Sequence, residues 1–306
     1  MHADRATFAV ETLPGVGTVR RVVALGDGDF SQAWLINDEW VCRVAKHEKA
    51  SRSLRREACV LATAAPRLPL PVPRPHYHPP TMDRPSALAT HRLIAGELLT
   101  RQAFLALDAV DQARCAAQLA EFLTALHAVD RHTFAECRLE TVHYARRYGA
   151  VRRCVDRYVT PKLDDATRAY VRDVFDRFLT RGATDLVSDT LVHGDFRPKH
   201  ILWDPRRRTV TGVIDFGDIE IGDRAWDLVR LWEDYGPELL RLFLDRFAGA
   251  DREPLVRRMY ALYELDEIQW VAEVCAGVRD ADPSVACAGI ASLRELARRD
   301  AWRSLL

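Results

Sequence analysis

The chain has 306 residues, 48% of them apolar and 29% charged, so it is long enough to bury a sizeable core and has the composition of a globular protein. Lysine plus arginine and aspartate plus glutamate are equal at 44 each, which argues against a dedicated nucleic-acid-binding protein, because such proteins carry a basic excess. No apolar run approaches the roughly 18 residues of a membrane span, and residues 1–5 lack the pattern of a secretion signal. We therefore expect a cytoplasmic monomer or weak dimer with no nucleic-acid or membrane partner.

Seven cysteines are scattered along the chain, and no two of them form a CxxC pair. A disulfide framework or a zinc ribbon needs tighter, paired spacing. The pattern predicts reduced thiols.

The first ninety residues predict a small β-rich unit with one helix. Short β-rich runs are bounded by turn residues such as Asn37-Asp38, and apolar residues at helical spacing predict a helix over 51–64. Residues 66–80 contain seven prolines, which excludes a helix there and predicts an extended segment. The strand-like runs lie at 21–25, 33–36, 40–44 and 87–94.

The rest of the chain predicts helices, with one β-hairpin interrupting them. Residues 200–203 and 210–216 form the two arms of that hairpin, and Pro237 suits the first turn of a later helix. The sequence thus predicts an α+β, bilobal fold with an N-lobe over 1–92, a hinge near 88–95 and a larger, mostly helical C-lobe over 93–306. A cleft at the hinge is the natural place for a ligand.

Two acidic motifs flank the predicted hairpin. The segment 191–202 reads LVHGDFRPKHIL, and the segment 213–218 reads VIDFGD. Because the hairpin brings its two ends together, Asp195, His200 and Asp215 should converge. Phosphoryl transfer needs this combination: a carboxylate to accept the proton of a hydroxyl, and oxygen or nitrogen ligands for Mg²⁺.

These motifs resemble the catalytic and metal-binding loops of protein-kinase-like antibiotic phosphotransferases. Gly26-x-Gly28, the LPLPVP segment at 68–73 and the Gly222-Asp223 pair make the chain most similar to the aminoglycoside 2″-phosphotransferases. His200 replaces the family's usual asparagine, as it also does in macrolide phosphotransferases. The resemblance implies a kinase-like fold, ATP or GTP as phosphate donor, and Mg²⁺.

The resemblance also implies a role for each matching position. Asp195 matches the catalytic base, while His200 and Asp215 match the Mg²⁺ ligands. Nucleotide binding is assigned to Gly26, Gly28, Arg43, Glu57, His91 and Leu93.

Arg43 departs from the family, because it stands where a lysine pairs with the helix glutamate, here Glu57. Arginine can contact a carboxylate and a phosphate with one planar fork, so we expect it to take over this role. Lys46 is three residues further on and should lie on the opposite strand face.

The acceptor is predicted from local charge. Between Asp215 and Glu238 there are eight acidic residues and only two arginines, and residues 263–273 contain no basic residue. A polycationic acceptor, such as an aminoglycoside, suits this excess. We expect it to be bound by Glu233, Asp234, Glu264 and Glu267.

Other interpretations remain open at this point. The acidic stretches can be solvated helix faces, and the acceptor can be a macrolide or another small metabolite. A non-catalytic nucleotide-binding regulator is favoured only by Arg43. We expect His193, Asp223 and Asp227 to be structural, bracing the loop and a helix N-terminus.

Overall fold

The computed structural model describes residues 12–13, 15–182 and 185–306. Within residues 15–182, five antiparallel strands form a sheet in the order β3-β4-β5-β7-β6, preceded by a short pair of strands. The bounds of these strands are β1 (Thr12–Leu13), β2 (Gly17–Thr18), β3 (Val22–Asp27), β4 (Ser31–Ile36), β5 (Trp40–Ala45), β6 (His76–His78) and β7 (Leu88–Arg92).

Turn chemistry sets the register of this sheet. Asn37 and Asp38 both adopt positive φ, the geometry of a tight hairpin turn, and the Asn37 side chain accepts hydrogen bonds from the amides of Arg20 and Arg21. Helix α1 (Glu48–Ala64) begins three residues earlier than predicted, because His47 caps it through a hydrogen bond from the Ala50 amide.

The proline-rich segment follows α1 and differs from the prediction at its start. Ala65–Arg67 forms a short 3₁₀ turn that includes Pro66, a position where the missing N–H is tolerated. The remainder is extended and ends in β6, which pairs with β7. The first segment of the chain therefore consists of a sheet with α1 packed on one side.

A second group of strands follows the hinge and carries the two acidic motifs. Among the described residues, β8, β10 and β11 form one antiparallel sheet and β9 pairs with β12. The predicted hairpin is present, and the β9–β12 pair was not predicted. The bounds are β8 (Glu97–Leu98), β9 (Thr190–Val192), β10 (Ile201–Asp204), β11 (Thr209–Val213) and β12 (Glu220–Gly222).

Helices make up most of the remainder and enclose the larger hydrophobic core. That core joins α3 to the hairpin and to the last helices through residues such as Phe122, Phe216 and Leu265. The helices are α2 (Arg101–Leu105), α3 (Ala109–His127), α4 (Tyr144–Tyr158), α5 (Asp165–Arg177), α6 (Ala225–Leu244), α7 (Arg252–Cys275) and α8 (Pro283–Arg298).

Helix α6 is kinked at Gly236. This residue has a φ of 73°, and a Cβ there would lie 2.8 Å from the Glu238 carboxylate and 3.0 Å from the Arg101 guanidinium. Pro237 then begins the second helical segment, as predicted. The kink divides α6 into two segments, and the first of them carries Glu233 and Asp234.

One prediction about the cysteines is wrong. Cys59 on α1 and Cys137 are joined by a disulfide that closes a separation of 78 residues. The spacing of the cysteines along the sequence did not predict this bond, because the fold brings together two thiols that are far apart in the chain. The bond ties α1 to the 3₁₀ segment Arg131–Cys137. In the described ranges no helix is long and apolar enough to cross a membrane.

Candidate active site

The loop that carries Asp195 is held by its own backbone and by Asp227. Gly194 has a φ of 88°, and a Cβ at this position would collide with the carbonyl of Asp218, so only glycine fits. The two carboxylate oxygens of Asp227 accept hydrogen bonds from the amides of His193 (3.0 Å) and Gly194 (2.9 Å). The start of α6 therefore fixes the loop that positions Asp195.

Two histidines complete this support. His127 on α3 contacts Asp227 at 2.8 Å, and both side chains are buried. His193 is also buried; its Nε2 donates to the Ile214 carbonyl, and its Nδ1 accepts from the Asp195 amide. Burial lowers the pKa of His193, which keeps the ring neutral. The structural role expected for His193 and Asp227 agrees with these contacts.

A cluster of charged side chains forms where β5, α1 and the two motif loops meet. We name Arg43, Glu57, His200 and Asp215 the Arg43 cluster. The Arg43 guanidinium donates through Nη1 to Glu57 at 2.8 Å and through Nη2 to Asp215 at 3.0 Å. The predicted Arg43–Glu57 pair is therefore present. Lys46 lies outside the cluster and pairs with Asp27 at 2.6 Å.

Asp215 is aimed into this cluster by its backbone. Its φ of 61° is left-handed, a conformation that aspartate tolerates better than most residues. The next residue, Phe216, is fully buried with its ring 4.5 Å from the His193 ring. The Gly217 carbonyl then accepts hydrogen bonds from Ser53 (2.7 Å) and Arg56 (3.0 Å) of α1.

The ring of His200 has a defined tautomer. Its Nδ1 donates to the Asp195 carbonyl at 2.8 Å, because a carbonyl can only accept. In the neutral ring, Nε2 is then an acceptor, and it faces the Asp215 carboxylate at 3.3 Å. Two acceptors facing each other at this distance can share a metal ion as ligands. The donor set therefore fits a divalent cation.

Mg²⁺ suits such a pair, because it is usually held by one or two protein groups, substrate phosphates and water. Within the described ranges, no group of three or more His, Cys, Asp or Glu side chains is arranged as a ready-made metal site. His200 and Asp215 are thus a partial ligand set that a nucleotide would complete.

A second cluster lies on the other side of Asp195. We name Arg197, Arg230, Glu233 and Asp234 the Arg197 cluster. The Nε of Arg197 lies 3.2 Å from Asp195 and 3.2 Å from Asp234, and its Nη2 donates to Glu233 at 3.1 Å. Arg230 donates to Glu233 at 2.7 Å. Asp195 therefore stands between two sets of ion pairs.

These charges tune the carboxylates. Burial raises the pKa of Asp195, but His200, Lys199 and Arg197 outweigh it and hold that pKa below its ordinary value. Burial likewise raises the pKa of Asp215, while contacts with His200 and Arg43 bring it far below the usual range. Asp218 differs, because burial and the charges of Asp195 and Asp215 raise its pKa. Asp195 and Asp215 are hence ionised at neutral pH.

The remaining residues predicted to bind nucleotide lie along the sheet. Gly26 sits in β3 at an irregularity of the register, and the Gly28 amide donates to the Ser31 carbonyl at 3.1 Å. The Ser31 hydroxyl accepts a hydrogen bond from Arg43, so the glycine turn adjoins the Arg43 cluster. His91 is buried in β7, and Leu93 is exposed, with its amide donating to the Glu39 carbonyl.

The structure separates the predicted acceptor residues. Glu233 and Asp234 reach Asp195 through Arg197. Burial, together with the charges of Glu233 and Asp266, raises the pKa of Glu267 to about 7. Glu264 does not fit the prediction. It is buried between α7 and α5, where Tyr170 donates to it at 2.6 Å, so it is not available to an acceptor.

Several supporting residues escaped the sequence analysis. Ser53 and Arg56 looked like ordinary helix residues, and Arg197 lies in the motif without a family role. Apart from Asp195, which Arg197 also contacts, their partners are 36 to 164 residues away in the chain. Only Arg197 could have been noticed in the sequence, because it is a cation two residues after Asp195.

The fold and the two motif loops place the protein in the class of kinase-like phosphotransferases. The model of the phosphotransferase enzyme family, APH, matches residues 21–262, and the chain belongs to this family.

Two curated relatives match part of the chain. The aminoglycoside 3'-phosphotransferase of Streptomyces fradiae is 36% identical over 83 residues, which cover 24% of this chain and 29% of the relative. The viomycin phosphotransferase of Streptomyces vinaceus is 33% identical over 88 residues, or 26% of this chain and 30% of the relative. The matches thus span less than a third of each relative.

Solved structures match nearly the whole chain. The GDP complex of an aminoglycoside 2'-phosphotransferase-IIIa variant has a TM-score of 0.82 at 25% identity, covering 91% of this chain and 92% of the other. A GDP and kanamycin complex of the aminoglycoside 2″-phosphotransferase of type IIIa gives 0.82 at 24% identity, with 93% and 96% covered. A macrolide 2'-phosphotransferase from Brachybacterium faecium gives 0.61 at 20%, with 88% and 91% covered. The predicted kinase-like fold and the resemblance to aminoglycoside 2″-phosphotransferases are confirmed.

Proposed function

We propose that this chain is a Mg²⁺-dependent O-phosphotransferase that moves the γ-phosphate of ATP or GTP to a hydroxyl of an aminoglycoside. One observation carries the proposal: Asp195, His200, Asp215 and Arg43 converge, with the His200 ring 3.6 Å from the Asp195 carboxylate and 3.3 Å from that of Asp215. We assign residues 1–92 to the nucleotide-binding lobe and 93–306 to the lobe that binds the acceptor.

Asp195 is the base in this proposal. Its carboxylate is ionised at neutral pH, because its contacts with His200, Lys199 and Arg197 lower its pKa. An ionised carboxylate on a rigid loop can orient the acceptor hydroxyl and take its proton as the oxygen attacks phosphorus. Gly194 and Asp227 hold the loop, so the base is positioned before the acceptor arrives.

The donor phosphates are assigned to the Arg43 side of Asp195. Arg43 is fixed by Glu57 and Asp215, so its fork is oriented for a phosphate oxygen. The turn with Gly26 and Gly28 adjoins Arg43 and would cover the phosphates, while His91 and Leu93 lie nearer the hinge. His200 and Asp215 would hold Mg²⁺, which when bound neutralises charge on the transferred phosphoryl group.

The acceptor class rests on the acidic residues beside Asp195. Glu233 and Asp234 of α6 reach the base through Arg197, while Asp266 of α7 contacts Arg230 and the adjacent Glu267 lies close enough to Glu233 for its charge to act on it. A polycation gains charge-assisted hydrogen bonds at such a surface. A structural neighbour at 25% identity that is an aminoglycoside phosphotransferase supports an aminoglycoside, whereas the likeness to the macrolide enzyme, at 20% identity, concerns the fold alone.

The test is a panel assay on the purified chain. Kanamycin, gentamicin, streptomycin and a macrolide would each be incubated with ATP or GTP and Mg²⁺, and the product would be analysed by mass spectrometry. We expect a gain of one phosphate on at least one aminoglycoside and none with Asp195→Asn. Phosphorylation of the macrolide alone would contradict the acceptor class, and hydrolysis or binding without transfer to any compound would contradict the activity.

A further inference from the structure

Arg197 occupies an unusual place for a cation in a site proposed to bind a polycation. Its guanidinium lies among three carboxylates: the proposed base Asp195, and Glu233 and Asp234 of α6. These are the groups that an acceptor ammonium would seek. The Arg197 side chain is 24% exposed, and those of Glu233 and Asp234 are 29% exposed each, so all three are accessible from solvent.

The contacts of Arg197 are numerous but weakly formed. Its Nε stands 3.2 Å from both Asp195 and Asp234, yet it hydrogen-bonds to no group in the described part of the chain. The only hydrogen bond that its guanidinium forms with a described residue is the one to Glu233, at 3.1 Å. A guanidinium shared in this way is attracted by the charges of three carboxylates but is fixed by only one directional hydrogen bond, so another cation can replace it.

Arg230 provides the contrast within the same cluster. One of its nitrogens donates to Glu233 at 2.7 Å and to Asp266 at 2.6 Å, and its guanidinium lies 5.3 Å from the centre of the Trp226 ring. Arg230 thus ties α6 to α7. If Arg197 moves away, Glu233 keeps a partner in Arg230, whereas Asp234 loses its contact with Arg197.

We propose that Arg197 is an internal substitute for the acceptor's cation: its guanidinium fills the carboxylate site of Asp195, Glu233 and Asp234 until an acceptor ammonium displaces it. This inference rests on the proposed function and makes Arg197 a determinant of specificity. A neutral hydroxyl compound cannot replace the cation beside Asp195, whereas a polycation can. The exchange of one cation for another also keeps a positive charge next to the base.

The experiment measures binding by calorimetry in the absence of nucleotide, with kanamycin and spermine as probes. Spermine is a polycation without a hydroxyl, so it reports on the cation site alone. Arg197→Gln should bind both probes roughly three- to tenfold more tightly than the wild type, because the competing cation is gone. Arg197→Lys retains the charge, so its affinity for both probes should stay within about twofold of the wild-type value.

Lys199→Gln is the matched control, because Lys199 contacts Asp195 at 3.1 Å but neither Glu233 nor Asp234. Its loss removes the same charge without freeing the α6 carboxylates, and we expect less than about a twofold change for spermine. Unchanged binding in Arg197→Gln would show that no competition exists, and weaker binding would show that Arg197 contacts the probe itself. Either result overturns the inference.

A measurement on the wild type covers the case in which Arg197→Gln does not fold. With ¹⁵N-labelled arginine, the Nε signal assigned by its loss in Arg197→Lys should shift when spermine saturates the site, while that of Arg43 should not. An unmoved Arg197 signal would contradict displacement. The two proposals also fail separately: if no aminoglycoside of the panel is phosphorylated but spermine binds Arg197→Gln more tightly, the proposed function is wrong and the cation site stands.

Discussion

The Arg43 cluster and the Arg197 cluster flank the same carboxylate, Asp195, and are built from the same chemistry, yet they differ in burial and in geometry. The Arg43–Glu57 pair is the more buried, with side chains 16% and 3% exposed, while Asp215 is 40% exposed, and two nitrogens of the Arg43 fork each have their own carboxylate. The side chain of Arg197 is 24% exposed and shares one Nε between two carboxylates.

This difference distinguishes Arg43, which is part of the scaffold, from Arg197, which another cation can replace. Removing one partner of a buried pair, such as Arg43–Glu57, leaves an uncompensated charge, whereas more exposed pairs, such as those of Arg197 with Glu233 and Asp234, contribute less to stability and are weakened by salt. The Arg43–Glu57 pair should therefore tolerate substitution poorly, and the Arg197 cluster should respond chiefly through acceptor binding.

The strongest test of the Arg43 cluster is Asp215→Ala. This change removes the anion that both Arg43 and His200 contact, together with the main proposed Mg²⁺ ligand. We expect phosphate transfer to fall by roughly 10³ or more, with the fold retained as judged by circular dichroism. Activity above a tenth of the wild-type rate at saturating Mg²⁺ would exclude Asp215 as the principal ligand.

Asp195→Asn tests the group between the clusters. The amide keeps the shape of the side chain but cannot accept a proton, so kcat should fall by about 10²–10⁴ while the nucleotide Kd stays nearly constant. A rate above half that of the wild type at saturating substrates would remove the role of base from Asp195.

The pH dependence provides an independent check on Asp195. Its pKa is held below the ordinary value of about 4, so the acid limb of the rate profile should lie below that pH. Activity is lost as pH falls through the lowered pKa, because the base becomes protonated. In Arg197→Gln the same limb should move to higher pH, since one of the cations that lower this pKa is absent. A limb that stays in place would show that Arg197 does not act on Asp195.

The contrast between the clusters also marks how far the sequence could predict the site. The convergence of Asp195, His200 and Asp215 followed from two motifs joined by a hairpin, a local relation that spacing reveals. The Arg43–Glu57 pair followed from the family resemblance. Both depend on patterns that the chain displays within short segments.

Other features depend on side chains that only the folded chain brings together. Glu264 and Glu267 are three residues apart, so they share one face of a helix in the sequence pattern, yet Tyr170 of α5 covers Glu264. The Cys59–Cys137 bond and the contacts of Arg197 with α6 likewise join segments far apart in the chain. Charge excess along the sequence did not reveal that arginines already partner these carboxylates.

On the acceptor side, Glu233→Gln and Asp234→Asn should each raise the acceptor KM about tenfold and leave the nucleotide KM within about twofold. Each carboxylate offers charge-assisted hydrogen bonds to an acceptor ammonium once Arg197 has moved. Added salt should weaken acceptor binding in the wild type, because the side chains are partly exposed.

Glu238→Gln is the control for these two variants, since Glu238 also lies on α6 but pairs with Arg101 beyond the kink. It should leave the acceptor KM unchanged. If all three variants behave alike and salt has no effect, the acidic face is merely solvated, and a neutral acceptor becomes the better hypothesis.

Arg43→Lys tests whether the fork of arginine is needed. A lysine cannot contact Glu57 and Asp215 through separate nitrogens, so the nucleotide KM should rise by roughly tenfold while the acceptor KM changes little. Lys46→Gln is the comparison, because Lys46 pairs with Asp27 outside the cluster. A larger effect from Lys46→Gln than from Arg43→Lys would transfer the phosphate contact to Lys46.

The smallest effect is expected at His200, where the sequence departs from the usual asparagine. His200→Asn should keep kcat within about fivefold, because an amide oxygen is a good ligand for a hard cation such as Mg²⁺. His200→Ala removes both the Nε2 that faces Asp215 and the Nδ1 that donates to the Asp195 carbonyl. We therefore expect it to be less active than His200→Asn and to need more Mg²⁺ for half-maximal rate. The Mg²⁺ titration separates the two roles: an unchanged requirement in His200→Ala, with kcat alone reduced, would leave His200 as a support of the Asp195 loop and remove it from the metal site.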